Sequence, residues 1–340
     1  MAANMDPLEV LRIASSRADA FLFALIGALA FGAVCLPALR RLKLGQPVRA
    51  DGPATHLKKQ GTPTMGGVAI LLPAAAVVAA LSAMNPSLGS AVPAAVAMLL
   101  FGGVGLADDL LKIRRKSKDG LSPGQKTVGL VAVSIAYTVY LVYGARHGTD
   151  VMLPFSGMRA SVTIPVALYI PLNVLVFNAA ANGVNLTDGV DGLASTVTLI
   201  VALAFALAAS IGARDAGAMA LAAAVAGACL GFLAFNAHPA RVFMGDVGAF
   251  GLGGAVAALA VMLRIQWALL LFGVVYVLEI LSVIIQVGHF KRTKERLFKM
   301  APIHHHFELS GWREGAIVAA WAGAAVVGCA VGLVLLFFVL

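Results

Sequence analysis

The chain has 340 residues, 60% of them hydrophobic and only 12% charged, with a mean hydropathy of +0.92. Soluble domains carry about 25% charged residues, so a single water-soluble core is excluded and lipid is the natural solvent. The formal charge of +9 does not argue for nucleic acid, because the basic residues fall in short loops between apolar runs, where membrane topology and anionic lipid account for them.

A spanning helix needs about 20 mostly apolar residues. In chain order the apolar runs are 20–39, 61–107, 127–145, 160–187, 192–213, 216–237, 247–263, 266–288 and 315–340. The run 61–107 is too long for one helix, and Asn85-Pro86-Ser87-Leu88-Gly89 at its centre is turn chemistry. Splitting it there predicts ten spans in one polytopic membrane domain over residues 1–340, an all-α fold. The segment before the first run carries both signs of charge and no small-residue cleavage site follows Pro37, so that run reads as a retained helix and not a signal peptide. Cys35, Cys229 and Cys329 lie in apolar runs at unrelated spacings and read as packing residues.

Ten spans put both termini on one side. The loops on the other side, 40–65, 108–126, 182–191, 236–246 and 289–314, hold 19 of the 25 Lys and Arg residues. The positive-inside rule makes that side cytoplasmic.

The carboxylates sort to the same side. Asp108 and Asp109 end the third span, Asp188 and Asp191 follow the fifth, and Asp246 opens the eighth. Carboxylates close to hydrocarbon are costly and mark function. Helix capping is an alternative for Asp246 and Asp191, but a helix C-terminus disfavours the negative charge of Asp108-Asp109. Crowded carboxylates repel, and a divalent cation offsets this. An all-oxygen donor set suggests Mg2+.

Gly61 to Gly67 and Asn182 to Gly192 are loops rich in glycine and asparagine, whose backbone amides can approach an anion or a sugar. Phe243 suits either stacking on a base or anchoring at the interface. Glu279, Ser282 and Gln286 share one face of the ninth span; such a polar stripe faces protein or a cleft. His304-His305-His306 cannot all face one metal from a regular element, so hydrogen bonding to phosphate or sugar is the preferred reading.

In this order, these motifs resemble the polyprenyl-phosphate N-acetylhexosamine-1-phosphate transferases, and within them the phospho-N-acetylmuramoyl-pentapeptide transferase family. The resemblance rests on Asp51-Gly52-Pro53, Gly61 to Gly67, Asp108-Asp109 with Lys112, Asn182 to Gly192, Val242 to Gly248 and Met300 to Glu308. It implies transfer of phospho-N-acetylmuramoyl-pentapeptide from UDP-MurNAc-pentapeptide to undecaprenyl phosphate, giving lipid I and UMP. It further implies Mg2+ dependence, a cleft at the cytoplasmic face of the bacterial inner membrane, and a homodimer. Residue by residue, Asp108 and Asp109 match the catalytic pair, Asp246 the metal ligand, and Lys112 a phosphate-binding lysine. Phe243 matches the residue that stacks on uracil, and Asn182, Asn185, Asp188 and Asp191 match the nucleoside-pocket loop. Lys59, Thr64 and Gln286 match further nucleoside contacts, and His304, His305 and His306 the family's histidine tract. Ala249 departs from the pattern, since many members carry serine there.

Two rivals share many of these features. A transporter would place ionisable groups near the membrane midplane, whereas only Glu279 falls inside a span here. A sister transferase using UDP-GlcNAc differs in its donor alone.

Overall fold

The computed structural model describes residues 17–41, 61–115, 117, 119–213 and 215–338. Lys59, Asp51-Gly52-Pro53 and Lys118 lie outside the described residues. The chain runs α1 (Ala18–Arg41), α2 (Val68–Met84), α3 (Ala91–Arg115), α4 (Pro123–Val139), β1 (Asp150–Met152), β2 (Ser161–Thr163), α5 (Val166–Thr187), α6 (Leu193–Ala208), α7 (Ala216–Asn236), α8 (Gly245–Met262), α9 (Leu269–Phe272), α10 (Val274–Thr293), α11 (Ile303–Glu308) and α12 (Glu314–Phe337). Among the described residues, nine helical stretches of at least 18 residues are apolar enough to cross a membrane, and α2 adds a tenth of 17 residues. The protein is an all-α multi-pass membrane protein, as the apolar runs require.

Large apolar side chains such as Phe23, Val34, Val128 and Leu175 are exposed, as a lipid-facing surface demands. The interior is built from small residues. Helix α8 carries Gly and Ala along most of its length and nearly all of it is buried. It packs most extensively on α3 and also on α5, because small residues let helix backbones approach closely in lipid.

Three elements depart from the sequence reading. Helix α3 continues past residue 107 to Arg115, since Leu110, Leu111 and Ile113 extend the apolar pattern and Lys112, Arg114 and Arg115 suit a helix C-terminus. Helix α5 runs to Thr187, so Asn182 and Asn185 are helical and not in a loop. The ninth crossing is broken at Gly273 between α9 and α10 and reaches Thr293.

A two-stranded antiparallel hairpin pairs Asp150 with Thr163 and Met152 with Ser161. It docks where α8 leads to α9: Arg264 meets Asp150 at 3.2 Å and the Trp267 indole donates to the Met152 carbonyl at 2.8 Å. Asp108 on α3, Asp188 after α5, Asp246 at the start of α8 and His304 on α11 lie toward the opposite end of the bundle.

Candidate active site

Helix α3 presents Asp108 and Asp109 about two turns before its C-terminus, and α8 presents Asp246 in its first turn. The two helices meet at Gly105, where a Cβ would lie 2.1 Å from the Asp246 carbonyl oxygen. Only glycine permits that approach, and it brings ligand oxygens of the three aspartates within 4.8 Å of one another. Asp108 and Asp109 do not end their helix, as the sequence suggested. They are fully buried within it.

Two lysines offset the cluster. Lys112, on the same face of α3, reaches Asp108 at 2.6 Å, Asp246 at 3.1 Å and Asp109 at 3.7 Å. Lys126 reaches Asp246 at 3.0 Å and Asp108 at 3.1 Å. The sequence reading missed Lys126, although its signal is present. Ser122-Pro123-Gly124-Gln125 forms a capping box, with Ser122 bonded to the Gln125 amide and the Gln125 side chain bonded back. That fixes the start of α4 and aims Lys126 at the aspartates. Backbone amides finish the setting: Leu121 donates to Asp108 at 2.7 Å and Val247 to Asp109 at 3.1 Å.

Exposure is graded across the cluster. The Asp108 and Asp109 side chains are 0% exposed, Asp246 13%, Lys112 16% and Lys126 26%. The carboxylates form a floor and the lysines a rim open to solvent. Three carboxylates face two ammonium groups, and the buried Asp109 Oδ1 has no hydrogen bond. An all-oxygen set with a surplus negative charge and an unsatisfied buried oxygen fits a hard divalent cation.

Asn185, at the end of α5, donates to Asp246 Oδ1 at 3.0 Å. Asp188 caps that helix. It keeps a solvent-facing edge while protein crowds its carboxyl, and this burial, then the charges of Asp246 and Asp109, hold it well above the usual carboxylate range. Asp191 turns elsewhere. Its Oδ2 accepts from the Ala240 amide at 2.9 Å and lies 3.2 Å from His238 Nδ1, which lies 3.4 Å from Glu314. The sequence reading did not connect His238 or Glu314 with the site. Thr64 is buried, and its strand of chain is tied to the site by bonds from Phe243 N to Pro63 O and from Gly66 N to Phe243 O. Phe243 is half-buried beside Asp246 in the chain.

Two expected substrate contacts are placed differently. Asn182 is exposed and its amide donates to the Asn178 carbonyl one turn back. Gln286 accepts from the Leu297 and Phe298 amides and donates to the Phe298 carbonyl, so its amide ties down the 294–302 loop.

The three histidines diverge. His304 is fully buried, with Nδ1 at 3.1 Å from Glu279, and therefore faces protein and not phosphate or sugar as expected. His305 meets Glu308 at 3.0 Å, and His306 Nδ1 accepts from the Lys299 amide. The polar stripe on α10 thus faces the 289–314 segment.

Residues 91–264 match the model of glycosyl transferase family 4, and residues 59–71 match signature 1 of the phospho-N-acetylmuramoyl-pentapeptide-transferases. The phospho-N-acetylmuramoyl-pentapeptide-transferase of Acetivibrio thermocellus is 46% identical over 92% of this chain and 93% of its own. Those of Clostridioides difficile and Heliobacterium modesticaldum are 46% and 44% identical over 88% and 93% of this chain, and 90% and 96% of their own lengths. With likeness at this level along almost the whole length, the chain belongs to the phospho-N-acetylmuramoyl-pentapeptide-transferase family.

Proposed function

We infer that this membrane protein transfers phospho-N-acetylmuramoyl-pentapeptide from its UDP carrier to undecaprenyl phosphate, releasing UMP and forming the lipid-linked sugar. One observation carries the reading beyond family membership. Asp108, Asp109 and Asp246 meet Lys112 and Lys126 at one end of the helix bundle, where a soluble donor and a lipid acceptor can both arrive.

A phosphate oxygen of the acceptor attacks the β-phosphorus of the donor. The bond from that phosphorus to the oxygen bridging it to the α-phosphate breaks, and UMP departs. Negative charge grows on the leaving and non-bridging oxygens. Lys112 and Lys126 are the ammonium groups placed to meet it, and a desolvated site strengthens such contacts. The second ionisation of a phosphate monoester lies near pH 6, so the acceptor needs little help from a base, and Asp108 or Asp109 would take the remaining proton. Asp246, with Asp108 and Asp109, would hold Mg2+, which supplies Lewis-acid stabilisation of developing phosphoryl charge when bound. The Asn185–Gly189 turn and Phe243 would form the wall for the nucleotide end.

A cavity of about 470 Å3 opens between α5 and the broken ninth crossing, lined by Leu172, Leu175, Val176, Leu270, Val277 and Ile280. Its apolar lining suits the isoprenoid tail of the acceptor. The basic loops support a cytoplasmic position for the site and insertion in the bacterial inner membrane, and the exposed apolar helix faces leave room for a homodimer.

The test offers the purified protein undecaprenyl phosphate with either UDP-MurNAc-pentapeptide or UDP-GlcNAc, with Mg2+ or with EDTA, and follows UMP. Release with the muramoyl donor and Mg2+ alone supports the whole reading. Release with UDP-GlcNAc alone overturns the donor assignment, and undiminished release in EDTA overturns the metal.

A further inference from the structure

Glu279 is a carboxylate in the second turn of the membrane-crossing helix α10, and nothing in the transfer chemistry uses it. It is fully buried on α10. A buried charge persists only when its partners repay its desolvation. Both Glu279 oxygens are directed at partners from other elements. Oε1 accepts from the Trp321 indole of α12 at 2.6 Å, and Oε2 lies 3.1 Å from His304 Nδ1 of α11. This contact is a close approach and not an aligned hydrogen bond, and it turns the Nδ1 side of the imidazole toward the carboxylate.

The other edge of that ring lies against the donor-side turn. At Gly189, the three atoms nearest a built Cβ are all from His304: Nε2 at 2.1 Å, Cε1 at 2.7 Å and Cδ2 at 3.2 Å. The imidazole edge therefore packs against the Gly189 backbone with no room for a side chain between them. That turn is the wall of the reaction centre. Asp188 precedes Gly189, and Asn185, one helical turn earlier, holds Asp246.

We propose that Glu279 is a positioning residue that acts through His304 to hold the Gly189 turn, and so sets how tightly the site takes the nucleotide end of the donor. The chain Trp321–Glu279–His304–Gly189 links two membrane helices and the short α11 to the turn. The inference rests on the functional reading above, in that it takes this turn to be the nucleotide wall.

The experiment measures KM separately for UDP-MurNAc-pentapeptide and undecaprenyl phosphate in Glu279→Gln, His304→Ala and the double variant, with melting temperatures alongside. Glu279→Gln keeps an acceptor for Trp321 but removes the charge facing His304. The expected result is a donor KM raised at least about tenfold and an acceptor KM within twofold of wild type. The double variant should be no worse than His304→Ala alone, because the two side chains act as one unit. An unchanged donor KM, an equal rise in both KM values, or additive losses would overturn the proposal, since a tie that merely holds helices together does not discriminate between substrates. If Glu279→Gln does not survive purification, Trp321→Phe keeps an aromatic ring near Phe307 and removes the indole donor. A donor KM raised about threefold then supports the chain, and an unchanged one overturns it. A wild-type protein that releases no UMP would refute the functional reading itself. An active wild type with a kinetically identical Glu279→Gln refutes this inference alone.

Discussion

The close approach at Gly105 sets the geometry of the whole reaction centre, and Gly105→Ala tests that directly. The added Cβ would lie 2.1 Å from the Asp246 carbonyl oxygen, 2.3 Å from its carbon and 2.6 Å from the Val247 nitrogen. All three are backbone atoms, so no side chain can swing aside. Ordinary Cβ contacts begin near 3.4 Å, and α3 and α8 must therefore part by about 1.3 Å. Asp246 would then draw away from Lys112, now at 3.1 Å, and from the Asp108-Asp109 pair. A misplacement of roughly 1 Å costs about 100-fold in rate, equivalent to about 2.7 kcal/mol of barrier. The control is Gly103→Ala on the same helix, where a Cβ meets nothing within 4 Å. It should leave turnover unchanged and favour the helix slightly, because alanine is the better helix former. The assay is kcat from UMP release in detergent, with the folded fraction measured by size-exclusion chromatography. Turnover within twofold of wild type in folded Gly105→Ala would refute the idea that helix spacing holds the aspartates in register.

Asp246→Asn should abolish turnover while leaving the protein folded, and a variant with near-normal kcat and unaltered Mg2+ dependence would remove Asp246 from the metal set. Lys126→Met, which keeps the apolar stem, should lower kcat at least about tenfold with little change in donor KM, because its charge meets oxygens whose charge grows in the transition state; an effect confined to KM would place Lys126 in ground-state binding instead. The Asp188 carboxyl lies well above its ordinary value of 3.8 in the folded protein, so folded protein binds the proton more tightly than unfolded chain does. Its ionisation therefore removes stability as pH rises from near 4 through the folded pKa. In EDTA, the melting temperature of Asp188→Asn minus that of wild type should grow with pH over this window, and a constant difference would contradict the assignment. Single cysteines at Lys294 and Arg159, both exposed positions, should react with impermeant thiol reagents from the inside and the outside respectively, in a background lacking Cys35, Cys229 and Cys329; labelling from the same side would break the ten-span topology.

The nine long crossings and the shorter apolar α2 among the described residues were legible in the sequence because span length is fixed by the thickness of hydrocarbon, and about twenty apolar residues announce themselves without reference to the rest of the chain. The aspartates were legible for a related reason. A carboxylate beside a membrane span is expensive enough to stand out one residue at a time. Helix ends were less so. The sequence stopped α3 at residue 107 because charge begins there, yet the helix continues to Arg115, where Lys112 lies one turn beyond Asp108 and reaches it at 2.6 Å. The amphipathic continuation is visible only once a partner for the charge is known.

What the tertiary structure alone decided is which distant residues share a charge or a wall. Asp246 meets Lys112 and Lys126 across 134 and 120 positions of chain, and no local pattern encodes those pairs. The histidine tract shows the same limit. Its three members look equivalent in sequence, yet His304 is buried against Glu279 while His305 meets Glu308 and His306 the Lys299 amide. Local sequence sets residue type, helix period and the insolubility of the apolar runs. Which polar groups then find one another depends on where glycine lets two helices close to contact, and that is settled only when the whole bundle packs.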